Sequence, residues 1–358
     1  MQISADNKEA VIGCLLGAAV GDALGLCCEG MTKQRQHEVF GEIDRYHFLF
    51  GKGMTSDDTE HACMVAESLI VSAGDTEKFI KSLAWRFRFW LLGLPAGIGF
   101  ATLRSILKLW LGFSGKRSGV FSAGNGPAMR SAIIGVCYGR DLNKMHDLVR
   151  ASTRITHTDP RAEFGALAVA LAAHIASAKG GKNVHDDFLM KIKELIAGEE
   201  SDEFLELMRK TIGSAASGKP VESFAKALGL ENGVSGFMYH TVPIAIHCWL
   251  SHQKDFRSAV LTAVRCGGDT DTVAAIVGGI VGAGVGKDGI PLEWLKNLWE
   301  WPRSASWMEK LGEQLSEVSG SGEQQKAISV PFYGIILRNI LFFLVVLAHG
   351  FRRLLPPY

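Results

Sequence analysis

The chain has 358 residues, 47% of them apolar and 21% charged, so it can bury a large core and is not intrinsically disordered. Its 38 Lys and Arg nearly balance its 37 Asp and Glu, which excludes an overall field that would attract nucleic acid or an anionic surface. Any anionic ligand must therefore be bound by a local group of residues.

The seven cysteines are odd in number, lie mostly in apolar runs and form no CxxC pair. Such a pattern is typical of buried thiols in a reducing compartment. The N-terminus, MQISADNKEA, lacks the basic and apolar segments of a secretory signal. We therefore predict a cytoplasmic protein.

Apolar residues recur at helical spacing along most of the chain, and short glycine-rich stretches separate the periodic segments. This pattern predicts an all-α fold, since no series of alternating strands competes with it. In chain order the predicted helices span residues 8–25, 57–73, 76–92, 96–112, 126–138, 143–154, 160–178, 186–197, 201–216, 221–228, 237–250, 255–265, 270–286 and 291–299.

Two adjacent aspartates lie between hydroxyl residues at the start of the second predicted helix, in GMTSDDTEHA (53–62). A simple interpretation is helix capping, because Ser56 is a good N-cap and acids in the first turn complement the helix dipole. On that interpretation Asp57 and Asp58 have no further role.

The arginines and aromatics of RFRFWLLGLPAG (86–97) alternate in a way that could suggest stacking on nucleic-acid bases. One such stretch in a neutral chain is more typical of an amphipathic helix. We expect no nucleic-acid partner.

The segment AGNGPAMR (123–130) has the features of a phosphate-binding helix start. Gly124 and Gly126 allow close approach of the backbone to a ligand, and Pro127 suits the first helical position. In THTDP (156–160), Asp159 is the expected N-cap before Pro160. An ordinary helix-start loop remains the alternative for the first segment.

The predicted helix that begins near Val273, VAAIVGGIVGAGVG, has almost no polar face and is therefore expected to be central. Its glycines at 278, 282 and 286 recur every four residues and would let a neighbouring helix approach closely. Asp269 and Asp271 precede it, and capping is again the simple interpretation.

The two acidic clusters, 56–58 and 269–272, are harder to explain together, because each carries more acids than a cap needs. Crowded carboxylates repel one another unless a cation lies between them. Oxygen-only clusters suit magnesium or manganese, and the chain has no His/Cys set at zinc-ligand spacing. We therefore expect two helix N-termini to face each other around one or two divalent cations.

The C-terminal part differs from the rest of the chain. Residues 312–328 are predicted to be a flexible linker, and residues 329–358 an apolar helical segment. Arg338, Asn339 and His349 interrupt the apolar run and argue against a true membrane span. Two alternatives remain: a helix packed on the body or on a second subunit, or a membrane-interface contact through residues 331–353.

The sequence resembles the ADP-ribosylglycohydrolase family in five motifs that occur in the family's order. They are GCLLGAAVGDALG (13–25), SDDTE (56–60), AGNGPAMR (123–130), THTDP (156–160) and GGDTDT (267–272). The resemblance covers about residues 8–300 and implies a compact orthogonal all-α bundle with a binuclear magnesium or manganese site. We assign residues 1–311 to this domain.

The resemblance also implies roles for individual residues. The implied metal ligands are Ser56, Asp57, Asp58, Asp269, Asp271 and Thr272. Ser56 replaces the threonine more usual in the family but keeps the hydroxyl oxygen. The implied substrate contacts are Gly124, Asn125, Gly126, Met129 and His157, and the implied catalytic carboxylates are Glu29, Asp269 and Asp271.

The implied activity is hydrolysis of the bond between ADP-ribose and an acceptor, with two divalent cations. Because GNGPAMR and THTDP are most similar to the bacterial activating glycohydrolase, ADP-ribosylated arginine on a protein is the expected substrate. The alternatives are serine-linked or small-molecule ADP-ribose, another ribosylated compound, or a non-catalytic module that binds ADP-ribose or a nucleotide.

Overall fold

The structure is a computed structural model that describes residues 5–48, 50–178, 183–198, 201–352 and 354. The predicted all-α class is confirmed, and β pairing in the described residues is limited to isolated bridges. The helices are α1 (Ala5–Gly25), α2 (Lys33–Phe40), α3 (Asp57–Ser72), α4 (Thr76–Leu92), α5 (Phe100–Trp110), α6 (Gly126–Met129), α7 (Ala132–Tyr138), α8 (Leu142–Thr156), α9 (Pro160–Ser177), α10 (Val184–Leu195), α11 (Asp202–Ala216), α12 (Val221–Ala227), α13 (Met238–Ser251), α14 (Phe256–Arg265), α15 (Thr270–Val285), α16 (Leu292–Asn297), α17 (Ala305–Ser321) and α18 (Phe332–Arg352).

Each predicted helix overlaps a helix of the structure, but two helices, α2 and α17, were not predicted. The linker prediction for residues 312–328 is wrong for residues 312–321, which form the second half of α17. Leu311, Leu315 and Val318 are buried at helical spacing, so the apolar period continues through the serines and glutamates. The predicted helix over 126–138 is two helices, α6 and α7.

The centre of the fold is the antiparallel pair α1 and α15, which pack together more extensively than any other two described helices. A Cβ at Gly17 would meet the carbonyl oxygen of Gly278, and one at Gly13 would meet that of Gly282. The predicted close approach along the glycines of α15 is therefore confirmed, and α1 supplies a matching glycine row. Both helices are almost completely buried.

Gly278→Ala is expected to lower the free energy of unfolding by about 1–3 kcal/mol, because its Cβ would force the two central helices apart. Gly213→Ala is the matched control, since a Cβ at this glycine in α11 meets no atom within 4 Å. The control is expected to be neutral or stabilising. Urea unfolding of both variants measures the difference, and equal free energies would contradict the packing argument.

The seven cysteines all lie in the described residues, and each is a free thiol. Six are buried and Cys137 is half-buried, which confirms the predicted buried thiols. The cytoplasmic location stays a prediction.

Helix α18 lies along the body instead of extending from it. Arg338 donates to the carbonyl oxygen of Thr55, Asn339 donates to that of Gly93 (2.8 Å), and a His349 nitrogen lies 2.9 Å from the carbonyl oxygen of Cys27. One face of the helix is therefore packed on the body. Arg353 and residues 355–358 of the predicted tail lie outside the described residues.

Two described helices are long and apolar enough to cross a membrane by composition alone, Asn7–Cys28 and Phe332–Arg352. The apolar window of the first is completely buried in the body, as expected of a core helix. Only 22% of the corresponding window in α18 is buried.

Candidate active site

The N-termini of α3 and α15 meet, as the two acidic clusters predict. Asp58 joins them, because its Oδ2 accepts hydrogen bonds from Ser56 Oγ (2.9 Å) and from Thr272 Oγ1 (3.2 Å). Thr270 Oγ1 donates to the carbonyl oxygen of Gly25 (2.7 Å) and so fixes the start of α15 beside the end of α1. Residues 214 positions apart in sequence thus share one hydrogen-bonded group.

Capping accounts for part of each cluster. Ser56 caps α3 by accepting a hydrogen bond from the backbone N–H of Asp58, as predicted. Asp269 occupies the N-cap position of α15, but its side chain makes no capping bond. It accepts instead from the side-chain amide of Asn125 at 2.6 Å. The carboxylate of Asp269 therefore belongs to the cleft rather than to its own helix.

A glycine turn places this carboxylate. Gly267 and Gly268 have φ angles of 74° and 78°, in the left-handed region that favours glycine. Gly268 donates to the carbonyl oxygen of Met31 (2.7 Å) and accepts from the N–H of Gly30 (2.8 Å). The loop that carries Glu29 is thereby held against the start of α15, and Glu29 is exposed at the mouth of the cleft.

Asp22 lies directly beneath the cluster, and we predicted no role for it. It is completely buried in α1 and accepts hydrogen bonds from the backbone N–H groups of Ser56 and Thr59 and from the hydroxyl of Thr59 (2.6 Å). The sequence signal was present, since a single aspartate interrupts the otherwise apolar GCLLGAAVGDALG. Asp22 holds the start of α3 in place.

The cleft above these groups has a volume of about 340 Å³. Ten of the twelve predicted site residues line it, and Ser56 and Asp58 are buried behind them. The ten are Glu29, Asp57, Gly124, Asn125, Gly126, Met129, His157, Asp269, Asp271 and Thr272. Gly97 and Gly99, between α4 and α5, and Phe100, at the start of α5, close one side, and none of them was predicted as a site residue.

His157 forms one wall of the cleft, between the two glycines of AGNGPAMR. A Cβ at Gly124 would lie 3.1 Å from its Nε2, and one at Gly126 would lie 3.3 Å from its Cε1. Burial, together with the charge of Arg130, lowers the pKa of His157 to about 3, so its ring is neutral. His157 can therefore exchange single hydrogen bonds with a ligand but carries no charge to attract a phosphate. Asp159 caps α9, as predicted.

The carboxylates of the site are buried close together. Burial raises the pKa of Asp57, Asp58 and Asp271 well above the usual range, and the neighbouring carboxylates raise it further. Burial raises the pKa of Asp22 to about 7, although hydrogen bonds from Thr59 and Ser56 oppose the shift. Ionisation of the whole cluster would therefore place excess negative charge here, which a cation would neutralise.

The donor atoms suit a hard divalent cation. Asp58 Oδ1 and Asp271 Oδ1 are buried without a hydrogen-bond partner in the described residues. The other predicted metal ligands also offer oxygen atoms: Ser56, Asp57, Asp269 and Thr272. No three His, Cys, Asp or Glu side chains stand at metal-ligand spacing within the described ranges. The fit therefore rests on the orphaned oxygens and on their chemistry.

Without a divalent cation, the buried carboxyls are expected to lose their contribution to stability as the pH rises from about 4, the usual pKa of an aspartate, through about 7, the folded-state pKa of Asp22. A carboxyl whose folded-state pKa is raised contributes stability at low pH, and this contribution disappears as the pH passes the folded value. Histidines whose pKa is lowered by burial act in the opposite direction below about 6.5, so the effect is read as the difference between melting in EDTA and in magnesium.

Thermal melting in EDTA and in excess magnesium, across this pH range, measures the effect. We expect the melting temperature in EDTA to fall further below that in magnesium as the pH rises. A difference that stays constant or shrinks would contradict the crowding of these carboxylates.

Comparison with known proteins finds relatives that align over most of the chain. Residues 3–325 match the family model for ADP-ribosylglycohydrolase. ADP-ribosylhydrolase ARH3 of Xenopus tropicalis is 29% identical over 84% of this chain and 93% of its own length. ADP-ribosyl-[dinitrogen reductase] glycohydrolase of Rhodospirillum rubrum is 27% identical over 80% of this chain and 89% of its own length. A solved structure of an ADP-ribosylglycohydrolase-related protein complex superposes with a TM-score of 0.67 at 25% identity, over 88% of this chain and 99% of that chain.

Proposed function

Because the chain belongs to the ADP-ribosylglycohydrolase family, we propose that it is a divalent-metal-dependent hydrolase that releases ADP-ribose from arginine side chains of proteins. Its family supports hydrolysis of ADP-ribose linkages. The observation that carries the metal dependence is the pair of buried carboxylate oxygens on Asp58 and Asp271 that have no hydrogen-bond partner among the described residues.

The proposed ligands come from both helix starts. They are Ser56, Asp57 and Asp58 of the α3 start and Asp269, Asp271 and Thr272 of the α15 start. Bound magnesium or manganese ions would act as Lewis acids that orient the ribose hydroxyls next to the reacting carbon. Asn125 supports this set, because its amide fixes Asp269 and is itself held by Thr241 Oγ1 at 2.9 Å.

The remaining residues of the cleft bind and orient the substrate. Gly124 and Gly126 let the backbone approach ADP-ribose, and neutral His157 supplies a hydrogen bond without charge. Met129 is buried at the base of the same wall. Cleavage at the anomeric carbon passes through an oxocarbenium-like transition state, which the surrounding carboxylates stabilise electrostatically.

We assign the general-base role to Glu29, with Asp269 and Asp271 as neighbouring catalytic carboxylates. Glu29 lies at the mouth of the cleft, where it can pass a proton to solvent. Its negative charge also acts on Asp57 and Asp271 by raising their pKa, which supports its proximity to the reacting centre.

Glu29 favours a cationic acceptor at the mouth of the cleft, because it is exposed there and is not one of the proposed metal ligands. A guanidinium leaving group gains from its negative charge, whereas a serine hydroxyl gains little. The similarity to the Rhodospirillum rubrum enzyme supports a protein substrate.

The test is release of free ADP-ribose from an arginine-ADP-ribosylated protein and from a serine-ADP-ribosylated peptide, with magnesium, manganese or EDTA. We expect release from the arginine substrate with either metal and none in EDTA. Release from the serine substrate alone would contradict the assignment of arginine as the acceptor. ADP-ribose binding by calorimetry, with no release from either substrate, would identify a binding module instead of a hydrolase.

A further inference from the structure

Three neighbouring helices, α4, α5 and α18, expose apolar side chains in regular stripes. On each helix the opposite side is buried, for example at Phe87 of α4 and Ile106 of α5. Between 41% and 78% of each outward side chain is solvent-accessible at Trp85, Phe89, Leu107, Leu111, Leu337 and Leu341. So many large exposed side chains on adjacent elements indicate an interaction surface.

Contacts join the three helices to one another, with α4 in the middle. Phe89 of α4 packs edge-on against Phe332 of α18, with ring centroids 6.5 Å apart. On its other side, α4 is joined to α5 by Arg88, which donates to the carbonyl oxygen of Leu109 at 2.8 Å. We call the outward sides of α4, α5 and α18 the basic apolar face.

The segments that form this face are mainly positive, which the near-neutral total conceals. Residues 76–117 contain eight Lys and Arg and one Glu, and residues 332–352 contain two Arg and no acid, of which Arg338 is buried. The rest of the chain has 28 Lys and Arg against 36 Asp and Glu. The apolar helices carry positive charge on a molecule that is otherwise strongly negative.

Several of these cations are placed at the surface of the face. Lys78, Lys81 and Arg104 are exposed, and the Arg88 guanidinium lies 4.7 Å from the ring centre of Trp85. Arg86 is paired with Glu67, and Lys116 with Glu77. Aromatic rings beside Lys and Arg at the edge of an apolar surface are typical of proteins that lie on membranes.

We propose that the basic apolar face docks on the surface of an anionic phospholipid membrane. The apolar side chains enter the boundary between headgroups and acyl chains, and the lysines and arginines contact lipid phosphates. The docking is peripheral, because Arg338 and Asn339 are buried against the body and keep α18 lying along it. No transmembrane span is involved.

A second copy of the chain fits this face less well. A twofold symmetric dimer places the same patch on both sides of the interface, so the lysines and arginines of one copy would oppose those of the other. Single-stranded nucleic acid fits poorly too, since bases could stack on the aromatic rings of α4 but would leave the exposed leucines of α5 and α18 uncovered.

The face borders the proposed active site. Phe100, at the start of α5, lines the cleft together with Gly97 and Gly99 and is 84% exposed. Docking would therefore bring the mouth of the cleft to the membrane surface. The docking itself does not depend on the proposed hydrolase activity and is tested without substrate.

The test is flotation of the full-length protein with vesicles of phosphatidylcholine alone or with roughly one third phosphatidylserine, at low salt and at about 0.5 M NaCl. We expect at least about tenfold stronger binding to the anionic vesicles at low salt, and loss of most of it at high salt. Two double variants probe the face: Leu337→Glu with Leu341→Glu, and Lys81→Glu with Arg104→Glu. Each is expected to lower binding about tenfold or more.

Matched controls carry the same changes elsewhere on the surface: Met190→Glu with Leu292→Glu, and Lys226→Glu with Lys254→Glu, all at exposed positions. The controls are expected to bind as the unchanged protein does, and melting curves check that every variant is folded. Equal binding by face and control variants, or no binding to anionic vesicles, would overturn the proposal. So would a dimer in light scattering that the face variants dissociate, because the face would then bind a second copy.

Discussion

Asp58→Asn is expected to abolish ADP-ribose release, with a fall in kcat of at least about a thousandfold. Asp58 joins the two helix starts through Ser56 and Thr272, and its Oδ1 is buried without a hydrogen-bond partner in the described residues. The amide keeps the shape of the side chain but loses the charge and one of the two acceptor oxygens. We expect the affinity for manganese to fall at least about tenfold.

The same substitution is expected to stabilise the metal-free protein. Burial raises the pKa of Asp58, and the charges of Asp22, Asp57 and Asp269 raise it further, so ionised Asp58 destabilises the fold. Removing one carboxylate charge lessens this repulsion. Loss of activity together with a higher melting temperature in EDTA would distinguish a metal ligand from a residue that only supports the structure.

Calorimetric titration with manganese, ADP-ribose release and melting in EDTA measure the three effects. Asp57→Ala and Asp269→Ala are expected to abolish release as well, while the fold survives. Asp288→Asn is the control, since Asp288 is exposed beyond the far end of α15. Unchanged release and unchanged metal affinity in Asp58→Asn would contradict the proposed metal site.

The features that the sequence predicts well are those that a local pattern encodes. Helix positions follow from apolar spacing, and the close packing of α15 follows from glycines every four residues. The meeting of the two acidic clusters was also predictable, because each has more carboxylates than capping requires. The excess of carboxylates in each cluster thus indicated that two segments far apart in sequence lie together.

Features that depend on a distant partner were missed. Asp22 is an isolated aspartate in an apolar helix. Its role in holding the start of α3 depends on hydrogen bonds from Ser56 and Thr59, which the sequence does not place beside it. In the same way, nothing near Arg338 in sequence indicates that it pairs with Glu300, 38 residues away. The polar composition of residues 312–321 concealed the apolar spacing of α17.

Arg338 and Glu300 together hold the peptide that precedes the proposed metal ligands. Glu300 Oε1 accepts from the backbone N–H of Thr55 at 2.7 Å, and Arg338 donates to the carbonyl oxygen of Thr55 at 2.6 Å. Arg338 also donates to Glu300 through Nε at 3.1 Å, and both side chains are buried. Ser56 follows directly in sequence, so α18 supports the start of α3.

Arg338→Met is therefore expected to lower the free energy of unfolding by about 3–5 kcal/mol, because it leaves the Glu300 carboxylate buried without its cation. Adding Glu300→Gln should recover part of this loss, since glutamine still accepts from Thr55 and carries no charge. Arg352→Met, exposed on the same helix, is the control and should change little. Urea unfolding gives the free energies, and manganese titration tests whether the loosened Thr55 peptide weakens metal binding. A double variant as unstable as the single one would show that the packing of α18, rather than the buried ion pair, stabilises this corner of the fold.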